Sequence, residues 1–280
     1  MAQNMLSHKN ANRKGLRSAS ALAVAAMTLA LLSGCSKKDD AQSGKDQLAR
    51  IKEKGEIIIA TEGTWAPWTY HDEANNLVGF DVDVAKKIAE KLGVKATFVE
   101  TEWDGIFAGI DAKRYDMTAN GVEITPERSE KYDFSVPYGY IHTALITLQE
   151  RNDITAFEDL KGKTTANSLA STYADMAEKY GAKVNTIDSF EETIMLLTQK
   201  RIDATLNADV SFYDYKNVHP ESPIKITATT AEASHVAIPL RKGSDSESLR
   251  KAIDTAIEEL RQDGTIARIS QQYFGSDISK

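Results

Sequence analysis

The chain has 280 residues and a formal net charge of −7, with 41% hydrophobic and 27% charged residues. That is enough for one two-lobed body or two modest domains, and the acidic balance excludes a basic nucleic-acid footprint. One cysteine and five scattered histidines leave no zinc-ligand spacing, so neither a metal nor a cofactor is expected.

Lys9, Arg13, Lys14 and Arg17 open the chain as a basic stretch free of acids, and Ser18 to Leu32 is apolar, rich in alanine and leucine. This is the charged start and short apolar core of a signal peptide, too short for a comfortable transmembrane helix. It ends in Leu32-Ser33-Gly34-Cys35, with the only cysteine of the chain. The ending resembles the lipobox of bacterial lipoproteins, which implies diacylglycerol on the Cys35 thiol and removal of the peptide before it. Acyl chains would then hold a soluble body at a membrane. Ser36 to Gln47 is polar without apolar period and reads as a flexible tether.

The body begins near Leu48. Ile57 to Ala60 suits a buried strand. A helix opens at Gly79-Phe80-Asp81, with Phe80, Val84, Ile88 and Leu92 on one face; Asp81 and Asp83 favour its N-terminal end and Gly93 its C-terminal cap. Strands are predicted at 94–99 and 115–119, with a helix over 103–113 between them. The run 143–148 is β-branched and apolar. A second series follows: a helical turn at 157–162, a strand at 164–167, a helix at 172–180, a helix capped by Ser189 and Glu192 that carries Ile194, Leu197 and Ile202, and a strand at 203–206. Val236 to Leu240 is apolar, and 248–261 is an amphipathic helix. Strands alternating with helices argue an α/β fold with mainly parallel pairing.

Several separated segments carry a resemblance across nearly the whole body: Thr61-Glu62-Gly63-Thr64-Trp65-Ala66-Pro67-Trp68, Gly79-Phe80-Asp81-Val82-Asp83-Val84-Ala85, Ile124-Thr125-Pro126-Glu127-Arg128, Asp133-Phe134-Ser135-Val136-Pro137-Tyr138, Asp159-Leu160-Lys161-Gly162-Lys163, Arg201-Ile202-Asp203-Ala204 and Asp263-Gly264-Thr265. Each is weak alone; their joint order and spacing resemble the bacterial extracellular solute-binding proteins for polar amino acids. Thr165 to Leu169 and Tyr132 to Ser135 look most like the cystine-binding branch. The resemblance implies the two-lobed periplasmic-binding-protein-like fold of type II, with a ligand cleft between lobes joined by two crossing strands near 144–150 and 234–241 and closed by a hinge. The expected division is a signal peptide over 1–35, a tether over 36–47, a first lobe of 48–146 and 239–280, and a second lobe of 147–238.

An amino acid presents a carboxylate, an ammonium and a side chain, and a buried charge left unpaired is expensive. Arg128 matches the family arginine that grips the carboxylate through two parallel hydrogen bonds. Ser171 and Thr172 match the second-lobe segment that meets the same group at a helix start. Trp65 and Trp103 match two aromatic walls, while Trp68 reads as core because the family usually has phenylalanine there. Gly121 matches a carbonyl that accepts from the ammonium, and Asn120 and Glu62 map to the cleft wall. The family aspartate that pairs with the ammonium is replaced by Ala208, between Asn207 and Asp209, and a family serine or threonine is replaced by Glu123. One carboxylate lost and one gained imply that Glu123, with Asp209, takes over the ammonium.

The resemblance therefore implies a monomeric, lipid-anchored binding subunit of an amino-acid ABC importer. It would capture cystine or another polar L-amino acid, such as glutamine or a basic one, and deliver it to transmembrane permease subunits, with no nucleic-acid partner. An exported enzyme of the same fold, similar to cyclohexadienyl dehydratases, would need an acid or base facing the substrate, a role open to Glu123. His71, His142, His219 and His235 are isolated, and no nucleophile triad is visible. A sensor module with the same two lobes would carry a transmembrane segment and a cytoplasmic effector downstream.

Overall fold

Asp46 starts the first described element: its carboxylate accepts the Ala49 N–H at 2.9 Å and caps α1 (Gln47–Lys54), which Gly55 ends in the left-handed conformation. The computed structural model describes residues 45–280, which form one unit. The signal segment, Cys35 and the tether up to residue 44 lie outside the described residues. The last residues assigned to the tether are a correction: Gln47 is buried, and its Nε2 donates to the Asp116 carbonyl at 3.1 Å.

The first lobe runs through β1 (Glu56–Thr61), the short hairpin of β2 (Tyr70–His71) and β3 (Leu77–Val78), α2 (Phe80–Leu92), β4 (Lys95–Glu100), α3 (Trp103–Asp111), β5 (Met117–Thr118), α4 (Pro126–Lys131), β6 (Tyr132–Phe134) and β7 (Gly139–Ile141). β1 lies between β4 and β5, parallel to both. Ile57, Ile59 and Ala60 of β1 are fully buried, as are Phe80 and Ile88 of α2; each large side chain so buried contributes about 1.5–3 kcal/mol.

The second lobe comprises β8 (Thr143–Leu148), a 3-10 turn (Phe157–Leu160), β9 (Thr164–Asn167), α5 (Thr172–Lys179), β10 (Lys183–Thr186), α6 (Phe190–Thr198), β11 (Thr205–Ala208), α7 (Asp209–Val218) and β12 (Ile224–Thr229). β8 is central, antiparallel to β11 and β12, while β9 and β10 are parallel. The chain returns through β13 (Ser234–Val236) and β14 (Pro239–Arg241), antiparallel to β7 and β6, and ends in α8 (Ser244–Gln262) and α9 (Thr265–Phe274), both packed on α2.

The crossings fall around His142 and between Thr229 and Ser234, earlier than the sequence suggests. All six residues of β8 are buried, which makes this run the centre of a sheet rather than a connector. Residues 143–146, expected in the first lobe, thus pair in the second, and 234–238, expected in the second, pair in the first. The pairing is also less parallel than the βα alternation suggests. The strand expected at 203–206 sits two residues later, because the Asp203 carboxylate instead accepts the Thr164 N–H at 2.7 Å and Arg151 at 2.8 Å. α6 stops at Thr198, so Ile202 lies beyond it.

Asp81 is buried completely at the start of α2. Its carboxylate accepts the Tyr138 hydroxyl at 2.7 Å and the Gly121 N–H. Burial pushes its carboxyl up to about 7, against those two hydrogen bonds. The folded protein therefore holds this proton more tightly than the unfolded chain. The stabilisation this provides is complete below the usual carboxylate range and is lost as pH rises through about 7. Asp81→Asn is expected to flatten part of the fall in melting temperature from pH 4 to 7, measured by calorimetry; an unchanged slope would contradict the assignment.

Candidate functional site

Thr125 caps α4 by accepting the Arg128 N–H at 3.1 Å, and Pro126 occupies the first helical turn. This short helix presents the Arg128 guanidinium over the rings of Trp103 and Phe107, 5.3 and 5.5 Å from their centroids. Nη1 donates to the Glu123 carbonyl at 3.0 Å and Nη2 to the Ala170 carbonyl, in the other lobe, at 3.3 Å. The remaining guanidinium N–H groups have no partner among the described residues. Burial lowers the pKa of Arg128, opposed by the Glu123 carboxylate; a guanidinium stays charged regardless.

Facing it, Ser171 caps α5: its Oγ accepts the Ala174 N–H at 3.1 Å and donates to the Ser168 carbonyl at 2.7 Å. The hydroxyl's one proton is thereby committed to Ser168, so it cannot also be donated to a carboxylate. The next two amides, of Thr172 and Tyr173, have no partner among the described residues, so they and the helix dipole are available to an anion. Glu123 is 5% exposed, and its Oε1 accepts the Thr172 hydroxyl at 2.5 Å across the lobes.

The cleft between the lobes is lined by Glu62, Trp65, Trp103, Gly121, Glu123, Arg128, Ser171, Thr172 and Asn207 among the residues expected from sequence. Gly121 has φ +57°, and a side chain there would meet the Trp65 ring at 2.7 Å; its carbonyl has no partner among the described residues. Trp65 stacks on Trp68 with ring centroids 5.4 Å apart. Asn207 spends its Oδ1 on the Ala208 N–H at 2.9 Å.

Two expected residues do not line the cleft. Asn120 is fully buried behind Glu62: its Oδ1 accepts the Glu62 N–H at 2.8 Å and its Nδ2 donates to Glu62 Oε2 at 2.5 Å. Asp209 opens α7, and its Oδ1 accepts the His142 N–H at 3.3 Å and the Val210 N–H at 2.9 Å, which ties it to the crossing. Glu62 itself is driven up to about 7, by burial first, opposed by Asn120 and assisted by Asp188. Its remaining exposure is to the cleft.

Sequence reasoning missed Asn167, Ser168, Tyr173, Ile187, Asp188, Ser189, Phe190 and Thr193, which complete the lining. Ser189 was visible only as a helix cap, and Asn167 and Ser168 only as part of the segment 165–169 that resembles the cystine-binding branch. Trp65 Nε1, Asn167 Oδ1 and the Tyr173 hydroxyl are buried in the lining without a hydrogen-bond partner. A buried polar atom without a partner costs about 1–3 kcal/mol, so three around one cleft mark a place prepared for a polar ligand.

Trp68 is fully buried against Phe80 and Phe274, and its Nε1 donates to Ser211 Oγ, on α7 of the other lobe, at 3.1 Å. Phenylalanine cannot make this bond. Trp68→Phe is expected to cost the closed arrangement about 1 kcal/mol and to weaken ligand binding about fivefold, read by titration calorimetry; unchanged affinity would contradict a bond that favours closure.

The residues from 57 to 276 match the bacterial extracellular solute-binding proteins, family 3. An L-cystine-binding protein of Bacillus subtilis (strain 168) is 39% identical over 244 residues, covering 87% of this chain and 90% of that protein. Among solved structures, the L-cystine solute receptor of Neisseria gonorrhoeae in its unliganded open conformation is 40% identical with a TM-score of 0.57, covering 82% of this chain and 98% of the receptor. An ancestral arginine-binding protein bound to arginine is 35% identical yet has a TM-score of 0.73, covering 79% of this chain and 99% of its own. The better overlay with a ligand-bound structure, despite lower identity, accords with the bonds that Arg128, Glu123 and Trp68 make across the lobes. With two lobes, a polar cleft between them and a match over most of its length, the chain belongs to the bacterial extracellular solute-binding proteins, family 3.

Proposed function

We propose that the protein captures a polar L-amino acid in this cleft and hands it to the transmembrane subunits of an ABC importer, without chemical change. The observation that carries the reading is the cradle around Arg128. Its free N–H groups and the unpaired amides of Thr172 and Tyr173 suit a carboxylate, and the Glu123 carboxylate with the Gly121 carbonyl suits the adjoining ammonium. Glu123 thus stands in for the acid that Ala208 lacks. Asp209, engaged with His142, takes no part.

The anion cradle draws on both lobes, so a bound zwitterion favours the closed state by differential affinity. L-cystine, the ligand named for two of the relatives, is the first candidate. Export, diacylglycerol on Cys35 and a monomeric body belong to the same reading, and the basic start, apolar core and lipobox-like ending support the first two. A thermal-shift screen against L-cystine and the common amino acids tests it. A ligand bound by the native state alone raises the melting temperature; a rise with at least one amino acid is expected, and none with any would overturn the reading.

A further inference from the structure

Asp81 is fully buried and does not line the cleft, yet it bonds to a residue that does. Its Oδ2 accepts the Gly121 N–H, and its Oδ1 accepts the Tyr138 hydroxyl at 2.7 Å. Gly121 lies in the left-handed conformation against two indole rings: a side chain there would stand 2.7 Å from the Trp65 ring and 3.4 Å from that of Trp68. The carboxylate fixes the Gly121 amide while the rings confine the residue. The carbonyl of the same residue has no partner among the described residues and is left for the ligand ammonium.

Within the chain, an ionised Asp81 has no counter-charge. Its neighbours are engaged elsewhere. Asp83 accepts the Tyr273 hydroxyl of α9 at 2.8 Å and pairs with Lys86 at 3.4 Å. Arg261 of α8 donates to the Pro137 carbonyl and pairs with Glu258 at 2.8 Å, and Glu62 is held by Asn120. Tyr138 is itself fully buried, and burial beside Asp81 pushes its hydroxyl far up, so it remains a donor. An ammonium on the Gly121 carbonyl supplies the missing charge. One hydrogen bond, the span of a single residue and a second hydrogen bond separate it from Asp81, less than about 10 Å. In a buried setting that distance is screened far less than in water.

We infer that Asp81 is a positioning residue for the ligand: when ionised, it fixes Gly121 and backs the bound ammonium with its charge, so that ligand binding and ionisation of Asp81 favour one another. The inference rests on the reading that the Gly121 carbonyl meets the ammonium, and it adds a residue outside the cleft and a coupling to pH. The coupling is reciprocal. A ligand that prefers the ionised form drives the Asp81 proton off, and its affinity rises as pH passes through about 7, where this carboxyl titrates.

Titration calorimetry from pH 5.5 to 7.5 tests this, with L-cystine, L-arginine and L-glutamine as probes and the tightest of them carried through the series. Affinity is expected to rise about fivefold across the window, and heats in buffers of different ionisation enthalpy should show net proton release at pH 7. Asp81→Asn reproduces the protonated carboxyl: its oxygen can accept the Gly121 N–H and its amide can donate to the Tyr138 oxygen. It should bind at every pH as the unaltered protein does at 5.5, without proton release. Tyr138→Phe removes a hydrogen bond that favours ionised Asp81 and should move the rise to higher pH, which keeps the test open should Asp81→Asn fail to fold. Glu62→Gln removes the other carboxyl raised to about 7 and should keep the rise. An unchanged profile in Asp81→Asn, an unmoved rise in Tyr138→Phe, or its loss in Glu62→Gln would leave Asp81 a purely structural role and overturn the inference. No binding of any probe at any pH would overturn the amino-acid reading, and this coupling with it.

Discussion

Arg128→Lys is expected to weaken amino-acid binding by at least 100-fold, about 2.7 kcal/mol. The charge survives this change, so the loss measures geometry. The planar guanidinium lies over Trp103 and Phe107, donates to carbonyls of Glu123 and Ala170 in different lobes, and still has N–H groups for a ligand carboxylate. An ammonium on a flexible stem cannot meet all of these at once, and each charge-assisted bond lost costs about 1.5–3 kcal/mol. Titration calorimetry on the variant reads the change, and the melting temperature shows whether the fold survives. A loss below fivefold would contradict the role given to Arg128.

Glu123→Gln is expected to lower affinity by about 10- to 100-fold, in keeping with the penalty of leaving a buried ligand ammonium without its counter-charge. Glutamine keeps an oxygen to accept the Thr172 hydroxyl, which lies 2.5 Å from Glu123 Oε1. The bridge between the lobes therefore survives and the loss reports charge alone. The companion variant restores a carboxylate elsewhere: Glu123→Ser combined with Ala208→Asp places the acid at the cap of α7, beside Asn207 in the lining. It should recover affinity to within about tenfold of the original. Calorimetry on both proteins decides, and Glu123→Gln binding like the unaltered protein would show that the acid only joins the lobes.

Much of this was legible in the sequence where local chemistry dictates the outcome. The four-residue spacing of Phe80, Val84, Ile88 and Leu92 gave α2 and Gly93 its end, whereas α4, which delivers Arg128, was legible only as a segment of the family resemblance. The lobe crossings were misplaced because a fully buried run such as β8 reads the same whether it connects lobes or centres a sheet. α7 escaped because Val210, Phe212, Tyr213, Tyr215 and Val218 are spread around the helix rather than along one face, and it buries Ser211 against Trp68 of the other lobe, a partner only the tertiary fold supplies. Asn120 was placed on the cleft by the family resemblance and Asp209 by its position next to Ala208, but side-chain direction turns one behind Glu62 and the other toward His142. Asn167 lay within the matched segment 165–169 and α6 was legible from its cap, but neither signal says that the ends of β9 and β10 lie side by side at the cleft.

Reversible capture through Arg128 and Glu123 is read by equilibrium dialysis. The purified protein is dialysed to equilibrium against L-cystine and the ligand found in the thermal screen, and the bound compound is recovered after denaturation and weighed by mass spectrometry. One equivalent of unaltered ligand per protein, absent with Arg128→Ala, is the predicted result. A chemically altered compound, or saturable binding that persists undiminished in Arg128→Ala, would contradict it.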